Sequence, residues 1–225
     1  RLVCTDCVAF LIYVILESVL PVAHISFPRL LVLSTVNTMG ALASAVQSGK
    51  ALYVGLSNYD GKTLSQATSI LHEMHCPFVI NQNRYSIFDR TVEKNGLKKT
   101  TGILKKGLIT FSPLAQGQLT DRYLNGIPED SRIPTDGRFL KESNLTPERV
   151  LQIRELNDMA AGRGEKLSEM ALGWLLAQQE VTSVLIGASR PQQILDNIKA
   201  IHCAPFTEEE LVRIDEIAAE KIQPV

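Results

Sequence analysis

Four short apolar runs constrain most strongly what this chain can fold into. They lie at 52–56 (LYVGL), 78–80 (FVI), 108–111 (LITF) and 184–186 (VLI). None alternates apolar with polar residues, as a strand with one wet face would. Near-continuous apolar runs of this length belong to strands buried on both faces. Between them the apolar residues recur at helical spacing, and strands alternating with helices make a parallel α/β sheet. Such a sheet is either open and doubly wound or closed into a (β/α)8 barrel. Four strands make half a barrel, and periodicity alone does not choose between the two.

The helical stretches are well marked. Residues 38–48 place Met39, Leu42, Ala43, Ala45 and Val46 together and stop at Gly49-Lys50. Residues 62–75 do the same with Leu64, Ala67, Ile70, Leu71 and Met74, and 92–106 form a basic, weakly amphipathic stretch. Thr146-Pro147-Glu148 carries an N-cap, a proline at the first helical position and an early acid. The helix they open buries Val150, Ile153, Leu156 and Met159 and ends at Gly162. Another spans 167–178. Ser189-Arg190-Pro191-Gln192 reads as a capping box for a helix reaching about Ile201. Thr207 to Glu210 is a cleaner box, followed by Leu211, Ile214, Ile217 and Ala218 facing inward. A long polar loop at 115–144 separates the two halves of this pattern, and loops of that length are functional or disordered.

Composition narrows the function classes. A net charge of −1 gives no nucleic-acid footprint. Cys76 and Cys203 stand alone, as in a reducing, cytoplasmic compartment. Cys4 and Cys7 form C-T-D-C, but His24 alone supplies no second ligand pair, so no metal site is expected. Residues 8–23 are almost wholly apolar, interrupted by Glu17 and Ser18. They fall short of the roughly 20 residues of a membrane span, leaving a buried segment, an anchor or a stretch foreign to this fold. There is no G-x-G-x-x-G, P-loop or H-E-x-x-H. The polar residues of interest follow the strands: Ser57-Asn58, Asn81-Gln82, Ser112-Pro113-Leu114 and Gly187-Ala188-Ser189. Ligands of parallel α/β folds bind at the carboxyl ends of strands. Ordinary turn chemistry selects the same residue types.

Five motifs carry a resemblance over residues 38 to about 222. They are G-L-S-N at 55–58, N-Q-x-x-Y at 81–85, F-S-P-L-A-Q-G at 111–117, R-Y at 122–123, and S-V-L-I-G-A-S at 183–189 with Asp196-Asn197. In this order and spacing they resemble the aldo-keto reductases. The resemblance is to bacterial glyceraldehyde-3-phosphate-reductase-like members and to voltage-gated potassium channel β-subunits. It implies a TIM barrel, represented here by its C-terminal half, that binds NADPH and acts on a small carbonyl substrate. By position, Ser57, Asn58 and Gln82 would hold the nicotinamide carboxamide, and Phe111 would stack on the ring. Ser112, Pro113, Leu114 and Gln116 would line the pyrophosphate path, with Arg122 and Arg132 reaching the phosphates. Gly187, Ser189 and Gln193 would surround the adenosine phosphate, and Asp196 and Asn197 the adenine. A helix starting near Ser189 would turn its N–H groups toward a phosphate, and Arg190 adds charge that favours NADPH over NADH.

The family's acid–base chemistry resembles an Asp–Tyr–Lys–His arrangement, in which a cation lowers the tyrosine pKa. Residues 1–37 do not match that region. Tyr13 has no lysine before Lys50, and His24 sits in A-H-I-S-F-P, so both read as core or incidental residues. The chain is therefore expected to divide into a 1–37 segment of other origin and a cofactor-binding part at 38–225. As a truncated or mis-joined product it would be catalytically incomplete. Half a barrel leaves strand edges to be covered, which makes a homo-oligomer one outcome. Three readings stay open: an NADPH-dependent carbonyl reductase present as an incomplete copy, a non-catalytic cofactor-sensing subunit, and a non-functional fragment.

Overall fold

A computed structural model describes residues 2–4, 28–76, 78–129, 133–134 and 140–219. The chain falls into two compact units. Of the described residues, one unit holds those from Pro28 to Arg84 together with Thr91–Ile109, and the other holds Leu2–Cys4, Tyr85–Arg90 and those from Thr110 onward.

In the first unit, α1 (Pro28–Gln47) precedes β2 (Val54–Ser57), α2 (Gly61–Glu73), β3 (Phe78–Arg84), α3 (Thr91–Lys94), α4 (Leu97–Ile103) and the first residues of β4 (Gly107–Phe111). Asp60 caps α2 by accepting from the Thr63 N–H at 2.7 Å. Leu64, Ala67 and Leu71 then bury one face. β2 runs parallel to β3, with Leu56 opposite Asn81 and Ser57 opposite Gln82. β4 lies on the other side of β3. The basic stretch 92–106 is two helices, not one, because Gly96 between them has a φ of 77°. That break lets the backbone approach α2: a Cβ on Gly61 would lie 2.6 Å from the Gly96 carbonyl oxygen. The helix expected at 38–48 begins earlier, at Pro28.

The second unit carries the end of β4 beside β5 (Val181–Ile186), and β5 also pairs in parallel with β1 (Leu2–Cys4). Its helices are α5 (Pro147–Gly162), α6 (Leu167–Ala177), α7 (Pro191–Ile198) and α8 (Glu208–Ala218). Thr146 caps α5 through the Arg149 N–H at 3.2 Å, with Pro147 at the first turn. Ile153, Leu156 and Ala160 form its buried face. α6 is buried along most of its length and holds Trp174. The Tyr85 ring meets Trp174 edge-on, and the Arg90 guanidinium covers the indole at 4.5 Å while pairing with Asp215 of α8 at 2.7 Å. Thr207 and Glu210 form the reciprocal capping box anticipated for α8. Among the described residues of the long loop, 3-10 turns occur at Ala115–Gly117, Asp121–Tyr123 and Glu142–Asn144.

Candidate cofactor site

Within the first unit, the Ser57 hydroxyl donates to the Gln82 carbonyl at 3.1 Å, and the Asn58 N–H donates to the same oxygen at 3.0 Å. These bonds fix the end of β2 on β3. They use the backbone of Gln82 and leave its side chain alone: among the described residues the Asn58 and Gln82 carboxamides have no protein partner. Asn81 and Gln82 do not follow the strand, as the sequence reading placed them, but lie inside β3. Asn81 is fully buried there, donating to Asn83 Oδ1 at 2.7 Å, while Asn83 donates to the Tyr59 carbonyl at 3.2 Å. These bonds compensate part of the cost of burying amides in a strand, and Asn81 Oδ1 stays buried without a protein partner among the described residues. Asn83 and Tyr59, which hold the turn after β2, had no signal in the sequence.

The second unit holds the remaining candidates. Phe111 ends β4, and its carbonyl accepts from the Tyr85 N–H at 3.3 Å. Pro113 is buried, while Ser112, Leu114 and Gln116 are half-buried, and Gln116 Nε2 donates to Ser112 Oγ at 2.8 Å. The N–H groups of Ala115, Gly117, Gln118 and Leu119 are bonded within the loop. Side chains rather than these amides therefore face any ligand passing here. The Arg122 N–H donates to Thr120 Oγ1 at 3.3 Å, starting the 3-10 turn that carries its guanidinium. Arg132 lies outside the described residues. Gly187 directly follows β5 and is exposed.

The start of α7 departs from the expected cap. Arg190, not Ser189, is the N-cap, and Gln193 rather than Gln192 reaches back. Gln193 Oε1 accepts from the N–H of Ser189 at 2.8 Å and of Arg190 at 3.1 Å, and lies 3.2 Å from the Ser189 hydroxyl. The side-chain amide thus holds the N–H groups that the sequence reading offered to a phosphate. Along α7, Asn197 is buried and Asp196 is partly exposed. Hydrogen bonds from Lys166, Lys199 and Gln192 hold the Asp196 carboxyl at about 2, below its ordinary 3.8. Lys166 and Lys199 were not anticipated.

Backbone conformation singles out the same segments. Among the described residues, six non-glycine residues have positive φ. His75 and Lys105 do so just past the ends of α2 and α4, an ordinary helix-terminating conformation. The other four are Asn58 (60°) and Ser112 (53°), directly after strands β2 and β4, and Ala115 (47°) and Gln116 (61°), in the 3-10 turn that follows β4. A side chain in this region costs about 1 kcal/mol or more, and such strain persists where the surroundings or a function require it. Gly187 shows the converse. An added Cβ would meet nothing within 4 Å, and its φ lies outside the left-handed region, so the fold makes no demand for glycine there. A glycine without a conformational reason suits close approach by something other than the chain. Taken unit by unit, the chemistry of these groups suits parts of a dinucleotide: the first unit offers two carboxamides that could meet an amide, and the second a guanidinium and hydroxyls that could meet phosphates, with an exposed glycine and an aromatic side chain ending β4.

Among the described residues no group of three or more His, Cys, Asp or Glu side chains could hold a metal ion. No described helix is long and apolar enough to cross a membrane.

Comparison with known proteins agrees with this architecture. The sequence model of the Aldo/keto reductase family matches residues 20–219, beginning before Thr38. The chain is 46% identical over 186 residues to the L-glyceraldehyde 3-phosphate reductase of Escherichia coli K12, covering 81% of this chain and 54% of that protein. It is 34% identical over 183 residues to a putative voltage-gated potassium channel subunit beta of Schizosaccharomyces pombe, covering 79% of this chain and 53% of that one. A thermostable aldo-keto reductase solved with the inhibitor epalrestat superposes with a TM-score of 0.59 at 26% identity, covering 81% of this chain and 54% of the other. The fold is therefore that of an aldo-keto reductase barrel, of which this chain spans about half the length of its relatives. The chain belongs to the aldo/keto reductase family.

Proposed function

We propose that this chain binds NADPH and carries the cofactor end of an oxidoreductase that reduces an aldehyde or ketone to an alcohol. The observation that carries the reading is the run of left-handed, non-glycine residues at Ser112, Ala115 and Gln116, in the segment where the motif F-S-P-L-A-Q-G lies. NADPH would supply the hydride. Asn58 and Gln82 would hold the nicotinamide carboxamide with Ser57, and Phe111 would support the ring face. Ser112, Pro113, Leu114 and Gln116 would border the pyrophosphate, and Arg122 would balance its charge, as would Arg132. Gly187, Ser189, Arg190 and Gln193 would meet the adenosine phosphate, and Asp196 and Asn197 the adenine. Arg190 is exposed on the α7 N-cap, where a guanidinium suits a 2′-phosphate. The small carbonyl substrate is inferred from what the bacterial relative is named for.

A second reading rests on the likeness to a channel subunit beta: the chain would bind the cofactor without turning it over. NADPH fluorescence titration tests the cofactor itself. The reading expects saturable binding, weaker for NADH, and no saturation would sink it. Aldehyde-dependent oxidation of NADPH in the same preparation then separates the enzyme from the cofactor-sensing subunit.

A further inference from the structure

The cluster around Asp196 contains more than an adenine contact requires. Lys166, thirty residues upstream at the N-cap of α6, donates to Asp196 Oδ2 at 3.0 Å. Lys199 and Gln192 donate to Oδ1 at 3.1 and 3.2 Å. Lys166 is itself fixed: Glu169 Oε2 accepts its backbone N–H at 3.1 Å, and Glu169 is buried. Glu169 Oε1 also lies 3.9 Å from the Lys199 ammonium. Two helices are thus tied together through one carboxylate, with both lysine side chains more than half exposed.

A carboxylate has about four acceptor positions. Three here are filled, and the fourth is on Oδ2, beside Lys166. That position suits an N–H donor such as the exocyclic amino group of a purine. Rotating the carboxylate to any other orientation would break the Lys166 bond. From this geometry we infer that Lys166 is a positioning residue for the nucleotide: it sets the direction in which Asp196 presents its last acceptor. The inference rests on the nucleotide reading above. It also specifies which cofactors feel Lys166. The adenine is common to NADPH and NADH, so both depend on it equally, whereas an ammonium acting on a 2′-phosphate would affect NADPH alone.

The test uses the full chain, with NADPH and NADH titrated by fluorescence against wild type, Lys166→Met, Lys166→Arg and Asp196→Asn. Lys166→Met should weaken both cofactors by the same factor, about fivefold to tenfold for a misdirected charge-assisted bond. Lys166→Arg keeps a cation and should bind within about twofold of wild type. In the Asp196→Asn background, Lys166→Met should add nothing, an outcome that a merely structural lysine would not give. Three results overturn the inference: unchanged binding by Lys166→Met, a loss confined to NADPH, or the full loss persisting in Asp196→Asn. A wild-type chain that binds neither cofactor removes the nucleotide reading, and this inference with it.

Discussion

Gly187→Ala separates what the fold needs from what a ligand needs. The new methyl would sit in open space, with no heavy atom within 4 Å, and the backbone there is outside the left-handed region. Nothing in the folded state opposes it. Removing a glycine also narrows the unfolded ensemble, which stabilises by about 0.4–1 kcal/mol where the conformation is compatible. The melting temperature should hold or rise by about 1–4 °C. If the dinucleotide passes against this residue, as proposed, the methyl stands where a phosphate oxygen would, and loss of one good contact lowers NADPH affinity about tenfold. Thermal denaturation and NADPH fluorescence titration on one preparation read both sides. A variant as stable as wild type that binds NADPH equally well would show that Gly187 is only a turn residue. A marked fall in melting temperature would refute the open space itself.

Gly61→Ala should do the opposite. Its Cβ would meet the Gly96 carbonyl oxygen at 2.6 Å and Thr100 Oγ1 at 2.7 Å, and backbone cannot rotate away. A loss of about 1–3 kcal/mol or more is expected in denaturant titration. Arg163 bonds Glu165, Glu210 and the Ala204 carbonyl and covers the Phe206 ring at 4.2 Å, with its side chain 8% exposed. Arg163→Met should cost about 3 kcal/mol, the low end for a broken buried pair because Glu210 keeps some contact with water. The same titration checks it. Asp196 titrates below its ordinary 3.8, so its ion pairs are fully present above that value and are lost as pH falls through about 2. A carboxyl 13C titration should show that midpoint in wild type and an upward shift in Lys166→Met; a wild-type midpoint at the ordinary value would contradict the bonds.

Much of this fold was legible because burial leaves a simple trace. Val54, Leu56, Phe78, Leu108, Ile109, Val184 and Ile186 are core residues and lie in strands, but the first run is longer than its strand: Leu52 and Tyr53 precede β2 and are exposed, as is Val79 within β3. Caps at Thr146 and Thr207 were readable because capping needs particular side chains at fixed offsets. The misreadings have equally local causes. β3 continues through Asn81 and Asn83, joined by one side-chain hydrogen bond that leaves Asn81 Oδ1 buried without a protein partner, which no periodicity rule anticipates. The stretch 92–106 breaks at Gly96, where the need is a close approach to Gly61 and so depends on tertiary structure. Lys166 was invisible as a site residue because its partner is thirty positions away, whereas Lys199 lies only three residues from Asp196. The motifs located the candidate cofactor residues. The left-handed backbone at Asn58, Ser112, Ala115 and Gln116, which sequence does not display, is what sets those segments apart from ordinary turns.

The most direct test of the cofactor reading is an amide NMR map of the chain titrated with NADPH. The account predicts saturable shifts at Ser57, Asn58 and Gln82, at Phe111, Ser112 and Gln116, and from Gly187 through Asn197. Saturating NADPH that leaves these amides unmoved, or shifts a different set, would contradict it.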